Sequence, residues 1–311
     1  MSNLNPKLFD GDVEQVPTRY GYGEGLLELG EKNSEVVVLT GDLAESTRAL
    51  PFWKKYPERF FECGVAEQNM TGIAAGLAAA GKIPFISSYA VFSPGRAWDQ
   101  VRVSVAYSNL NVKIAGAHTG VSVGPDGATH QAVEDIAIMR VLPNMTVVVP
   151  CDVIETRKAT LAAAERMGPV YFRFAREKTP VITSLESSFE IGKAEIFWDS
   201  SVMTNDQITR NKQDPSSNKQ VPNQVAIVAC GPLVYQALVA AKELHEEGIG
   251  TMVVNNHTIK PMDVTTITKV ARNCGAVVTV EEHQIMGGMG SAVAEVLAKN
   301  FPVPMEFVGM P

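Results

Sequence analysis

The 311-residue chain is 45% hydrophobic and 20% charged, with a formal net charge of −7. An apolar fraction of that size excludes a disordered chain and fits about two domains with buried cores. The 34 acidic residues outnumber the 27 basic ones, which argues against a nucleic-acid platform. The longest small, apolar stretch, Ile73–Ala80, is far short of the ~20 residues that span a bilayer.

In chain order, apolar β-branched runs alternate with helical patterns, the signature of parallel βα units. Strands are predicted at Glu35–Thr40, Ile83–Ser87, Val112–Ala117, Thr146–Val149 and Val170–Phe174. Helices are predicted near Tyr20–Lys32, Glu67–Ala80, Gly95–Ser108, Gln131–Val141 and Ile154–Met167. Most strands are apolar throughout, as in a sheet covered by helices on both faces. Residues 199–223 are polar, without an apolar period, and read as a linker or insertion between domains. The rhythm then resumes with strands Val225–Ala229, Thr251–Val254 and Ala276–Val280, and helices Pro232–Glu247, Asp263–Ala271 and Ser291–Lys299. The sequence ends at Pro311, just past an expected last strand, which suggests a missing tail. The expectation is therefore α/β: two doubly wound domains with mostly parallel sheets, 1–198 and 224–311. Cysteines 63, 151, 230 and 274 are too scattered for a disulfide framework or a zinc site, and the N-terminus lacks the features of a signal peptide. A soluble, cytoplasmic protein is expected.

In doubly wound sheets ligands sit beyond the carboxyl ends of the strands, so the loops there are the ones to read. Gly41-Asp42 follows the first strand and is by itself equally a capped tight turn. Glu67 opens a helix, where the dipole favours a carboxylate; a functional role needs a partner that shares its proton. Tyr89 and Phe92 in the loop after Ile83–Ser87 serve as core plugs or as a stacking site. Residues 117–131 hold His118, Asp126, His130 and three glycines. That spacing is no compact metal motif, and hydroxyl recognition or proton shuttling fits as well. Arg176 after the last strand and Arg19 before the first helix salt-bridge locally or clamp a phosphate.

In order, GDLAES, GVAEQNM, SYAVF, AGAHTGVSVGPDGATHQAVED and RFAREKTP resemble the transketolase family, and specifically the C-terminal half of a transketolase standing as a separate chain. The resemblance covers residues 15–198, and the domain after the polar segment also fits. It implies thiamine diphosphate as cofactor, with Glu67 hydrogen-bonding N1′ of the aminopyrimidine so that the imino tautomer generates the ylide. That task calls for a poorly hydrated carboxyl that stays protonated near neutral pH. The resemblance further places Tyr89 and Phe92 on the aminopyrimidine ring and Asp42 in the cofactor region. His118 and His130 would contact substrate hydroxyls and relay protons, Asp126 would read the C2 hydroxyl, and Arg19, Ser46, His118 and Arg176 would hold the terminal phosphate. The implied reaction moves a two-carbon glycolaldehyde unit from a ketose phosphate to an aldose phosphate.

The sequence departs from the family in one respect. Gly11-Asp12-Val13 and Gly41-Asp42-Leu43 lack the third residue of the family's Gly-Asp-Gly diphosphate and Mg²⁺ motif, and Asn255-Asn256 lies too far downstream to complete it. No metal ligand is assigned to this chain. A second, N-terminal-type subunit is expected to supply the Mg²⁺ and diphosphate ligands, in an α2β2 heterotetramer. A third pocket aromatic is also missing, because Gly95 or Arg96 occupies that region. The alternatives are the β subunit of a 2-oxo acid dehydrogenase E1 component, a deoxyxylulose-phosphate synthase, which normally keeps both halves in one chain, and a non-catalytic subunit. Glu281-Glu282-His283 and Gly287-Gly288-Met289-Gly290 receive no catalytic role; the glycines read as a tight turn at a subunit contact.

Overall fold

The computed structural model describes residues 4–202 and 222–311, so most of the expected linker, 203–221, lies outside the described residues. The larger sheet has seven strands in the order β12 (Thr258–Lys260), β6 (Thr146–Val148), β7 (Val170–Phe174), β5 (Lys113–Ala117), β4 (Ile83–Tyr89), β2 (Val36–Thr40) and β3 (Phe60–Glu62). All pairings are parallel except that of β12 with β6. Every residue of β2, β5 and β7 is buried, the mostly apolar runs carrying Lys113 and Arg173 into the interior with them. The smaller sheet runs β14 (Met305–Met310), β13 (Val277–Gln284), β10 (Asn223–Ala229), β11 (Gly250–Asn255) and β9 (Glu195–Asp199), with β9 antiparallel at the edge. A short ribbon, β1 (Gln15–Pro17) with β8 (Lys178–Pro180), ties the start of the chain to the segment after β7.

The two sheets exchange strands. β9 precedes the polar segment yet pairs within the smaller sheet, while β12 follows it and closes the edge of the larger one. One hydrophobic cluster reaches from Val37, Ile114 and Tyr171 to Ala226, Met252 and Val293, so both regions share a core.

Helix α1 (Arg19–Lys32) lies against α6 (Val153–Glu165) so closely that a Cβ on Gly21 would stand 2.0 Å from the carbonyl oxygen of Val153. Glycine is therefore required there, and the contact fixes Arg19 at the α1 N-terminus. Asp152 caps α6 by accepting from the Glu155 N–H. Helix α3 (Glu67–Ala79) begins where the sequence predicts it. The helix expected at Gly95–Ser108 starts three residues later, at Trp98, and passes into π-helical turns over Val101–Tyr107. The one expected at Gln131–Val141 is confined to Asp135–Arg140, because Ala132 instead bridges Thr119 and accepts from the Gly120 N–H.

Candidate functional site

β2, β4, β5 and β7 are consecutive parallel neighbours, so their carboxyl ends open on one side. Register places Tyr89 beside Ala117 and Ala117 beside Phe174. The residues that follow, His118 and Arg176, consequently stand on one rim with Tyr89.

The rim is a line of touching rings and charges. The Tyr89 and His118 rings lie 4.0 Å apart between centroids, and Tyr89 stacks on Phe92 at 6.1 Å. His130 sits edge-on to both, 5.8 Å from Tyr89 and 5.3 Å from Phe92. At one end, Arg19 Nη1 is 3.2 Å from His118 Nε2 and donates to the Ser46 carbonyl oxygen at 3.1 Å. Ser46 thus enters through its backbone. Arg176 pairs with Asp126 at 3.5 Å and donates to the Val123 carbonyl.

At the other end stands Glu67, only 1% exposed. Its Oε2 pairs with Arg96 Nη1 at 2.9 Å, and the Arg96 guanidinium lies 4.8 Å above the Phe92 ring. Its Oε1 is buried without a hydrogen-bond partner. The line therefore runs from Glu67 through Arg96, Phe92, Tyr89 and His118 to Arg19.

The electrostatics are graded along it. Burial, then the charges of Arg19, Arg176 and His130, push the His118 pKa down to about 3, so this imidazole is neutral at physiological pH. With Arg19 donating to Nε2, the proton rests on Nδ1, which is buried and unpartnered. His118 adopts φ +55°, a left-handed conformation that a non-glycine residue keeps only when its surroundings enforce it. Burial and the neighbouring Arg48 lower the pKa of Arg19. A crowd of guanidinium groups with unused N–H donors is a seat for an anion.

The sequence reading missed three contributors. Arg48 donates to the Tyr20 hydroxyl at 2.6 Å and adds positive charge beside Arg19. Arg96, which in the sequence only stands where an aromatic residue is missing, joins Glu67 to Phe92. Glu62 shapes the β2 loop by accepting from the N–H groups of Asp42 and Gly64 and from the Thr40 hydroxyl. None has a local pattern that marks it. Asp42 itself is exposed, at φ +59°, and does not join the ring cluster.

The family models for the transketolase pyrimidine-binding domain and the transketolase C-terminal domain match residues 14–181 and 218–311. The chain belongs to the transketolase family. A "putative transketolase C-terminal section" of Methanocaldococcus jannaschii is 48% identical over 91% of this chain and 82% of its own length. A 6-deoxy-6-sulfo-D-fructose transketolase subunit of a Clostridium strain is 39% identical over 97% of this chain and 87% of its own. A solved structure described as a split-gene transketolase, an inactive β4 tetramer, is 45% identical with a TM-score of 0.81, covering 95% of this chain and 90% of that one. The chain carries the domains of the C-terminal subunit of a split transketolase, and family membership implies dependence on thiamine diphosphate. Among the described residues no helix is long and apolar enough to cross a membrane.

Proposed function

We propose that this chain is the C-terminal subunit of a cytoplasmic transketolase that moves a two-carbon glycolaldehyde unit from a ketose phosphate to an aldose phosphate. One observation carries the reading. A buried carboxylate and a cluster of guanidinium groups stand at opposite ends of a continuous row of aromatic and imidazole rings, an arrangement suited to a cofactor ring at one end and a sugar phosphate at the other.

The Glu67 end fits the aminopyrimidine half of thiamine diphosphate. Glu67 Oε1 is buried and unpartnered at a helix N-terminus, and the Phe92 and Tyr89 rings lie nearby to flank a planar heterocycle. When bound, the cofactor supplies a nucleophilic carbon and an electron sink for the two-carbon fragment. Glu67 would hold and exchange a proton at the ring nitrogen. Neutral His118 would bind the substrate carbonyl and hydroxyls, and His130, half-exposed on the same rings, would move protons to and from them. Asp126 would read the C2 hydroxyl. Arg19 and Arg176, with the Ser46 turn, would hold the terminal phosphate, offsetting the overall charge of −7 that otherwise repels an anionic sugar. Asp42, exposed at the end of β2, would face the cofactor region from the rim.

The incomplete Gly-Asp-Gly motif supports an N-terminal-type partner as the source of the Mg²⁺ and diphosphate ligands, in an α2β2 assembly. The test is a donor assay with thiamine diphosphate and Mg²⁺, on this chain alone and on its co-expressed complex. Transfer from xylulose 5-phosphate to ribose 5-phosphate by the complex alone, strongly reduced by Glu67→Ala, is the expected result. Full activity of the isolated chain would remove the partner from the scheme. Turnover of pyruvate in place of the ketose would assign the 2-oxo acid dehydrogenase reaction and strip Arg19 and Arg176 of their phosphate role.

A further inference from the structure

The loop that carries His118, Asp126 and His130 is held from the other sheet. Val121 and Ser122 both donate their backbone N–H to Glu282 Oε1, at 2.8 and 2.7 Å. Glu282 lies near the end of β13, and its own carbonyl accepts from Arg173 Nη2 at 3.2 Å, so the carboxylate is anchored beneath the rim by β7. Gly120 adopts φ +78°, and a Cβ there would stand 2.3 Å from Glu282 Cδ. The carboxylate thus lies directly against the glycine backbone. The far end of the loop is tied in the same way. Gln131 Nε2 donates to the Val121 carbonyl, the Gly120 N–H to the Ala132 carbonyl, and the Gln284 N–H of β13 to the Val133 carbonyl.

Two adjacent N–H groups on one carboxylate oxygen are charge-assisted hydrogen bonds, roughly twice as strong as neutral ones. They grip the loop three residues beyond His118, whose left-handed backbone needs outside support. Glu67, Phe92 and Arg96 sit on other segments and share no hydrogen bond with Glu282.

We propose that Glu282 is a positioning residue for the sugar-binding loop, through which the second domain sets where His118, Asp126 and His130 meet the substrate. This rests on the function proposed above. It gives the Glu281-Glu282-His283 segment a role that its sequence does not announce.

The experiment compares wild type, Glu282→Ala and Glu282→Gln in the assembled, thiamine-diphosphate-loaded complex. It measures KM for the ketose phosphate donor, cofactor affinity by tryptophan fluorescence, and hydrogen exchange of the Val121 and Ser122 amides. Since misplacing a catalytic loop by about 1 Å can reduce catalysis by up to about 100-fold, Glu282→Ala should raise KM by about tenfold or more. Cofactor affinity should stay within about twofold of wild type, because a change confined to substrate binding leaves the cofactor untouched. The two amides should exchange faster. Glu282→Gln keeps a carbonyl acceptor and should recover most of the loss. If the alanine variant fails to fold, the glutamine variant reads the same three quantities with smaller changes in the same directions.

Unchanged amide exchange would overturn the clamp itself. Faster exchange with unchanged KM, or an equal loss of cofactor affinity, would overturn the positioning role. A wild-type complex that turns over no sugar phosphate would instead sink the proposed function and the loop's substrate role with it, while exchange still decides whether the clamp exists.

Discussion

Replacing Arg19 by methionine keeps an unbranched stem and removes the guanidinium. In the wild type, Arg19 Nη1 serves both His118 Nε2 and the Ser46 carbonyl, leaving most of its five N–H donors for an incoming anion. Two unit charges about 4 Å apart attract by about 4 kcal/mol at an effective dielectric of about 20. Arg19 is only half-buried, so solvent screens part of this, and the 1.5–3 kcal/mol typical of hydrogen bonds to charged groups, roughly, is the better figure. At about 1.4 kcal/mol per decade, KM for a phosphorylated donor should rise roughly 10- to 100-fold. Arg176 and Arg48 remain in place, which keeps the effect short of complete loss. A donor of the same skeleton without its phosphate should be almost indifferent to the change. The variant should also raise the His118 pKa from about 3, because Arg19 is the largest of the charges depressing it; burial is the first cause and persists, so the value stays below the ordinary 6.5. Steady-state kinetics on both donors and NMR titration of the histidine C–H signals read the two effects. Equal losses on both donors would refute the phosphate assignment, and a His118 that titrates normally in wild type would refute the buried, neutral imidazole.

Glu67→Ala should lower turnover of the assembled complex by about 10²–10⁴-fold, the usual span for a proton-transferring side chain, with little change in thermal midpoint; undiminished turnover would remove Glu67 from the chemistry. Glu155 is buried, and burial followed by the Asp152 charge pushes its pKa up to about 8. The fold then retains a proton that the unfolded chain releases above about 4.5, so its contribution is full below that pH and is lost as pH rises to about 8. Glu155→Gln should flatten the decline in denaturation midpoint between pH 5 and pH 8, roughly, and an unchanged slope would contradict it. His257 has the opposite sign, burial having pushed it down to about 4. The unfolded chain takes up its proton below about 6.5, so stability falls from there to pH 4 by up to about 1.4 kcal/mol per pH unit, and His257→Phe should reduce that loss in acid denaturation curves.

The alternation of strands and helices was legible because β2, β5 and β7 are covered on both faces and consist almost wholly of apolar residues. β4 extends two residues beyond its expected end. Ser88 and Tyr89 resemble a loop, yet backbone pairing to Gly116 and Ala117 carries them as strand. The three-residue strands β1, β3, β8 and β12 are too short to show a period. For β12 the deciding interaction is with β6, about a hundred residues away, and nothing in the sequence of Thr258–Lys260 records it. The same distinction applies to the site. Glu67, His118 and Arg176 stand at a helix start or just after strand ends, where position alone draws attention, and His130 shares the long loop that follows β5. Arg48 and Arg96 act through rings and charges brought in by other loops. Glu282 bonds to amides some 160 residues earlier, so a local reading could see only a strand end followed by a glycine turn.

These long-range ties also govern how far the two regions can be separated. A chain cut after residue 198 would strip β12 from β6 and expose the backbone edge of Val147 and Val148. Glu155 would lose Asn255, which donates to its Oε1 at 2.7 Å, leaving that acceptor without its partner. The loop at 120–123 would lose Glu282. β9 would be left without the β11 partner that makes it a strand, taking the buried Phe197 and Trp198 with it. The pyrimidine-binding region is therefore completed by the chain that follows it. The loop that carries His118, Asp126 and His130 takes part of its support from Glu282 and Gln284 of the second sheet, so a variant of that sheet can alter substrate affinity without touching a single residue on the rim.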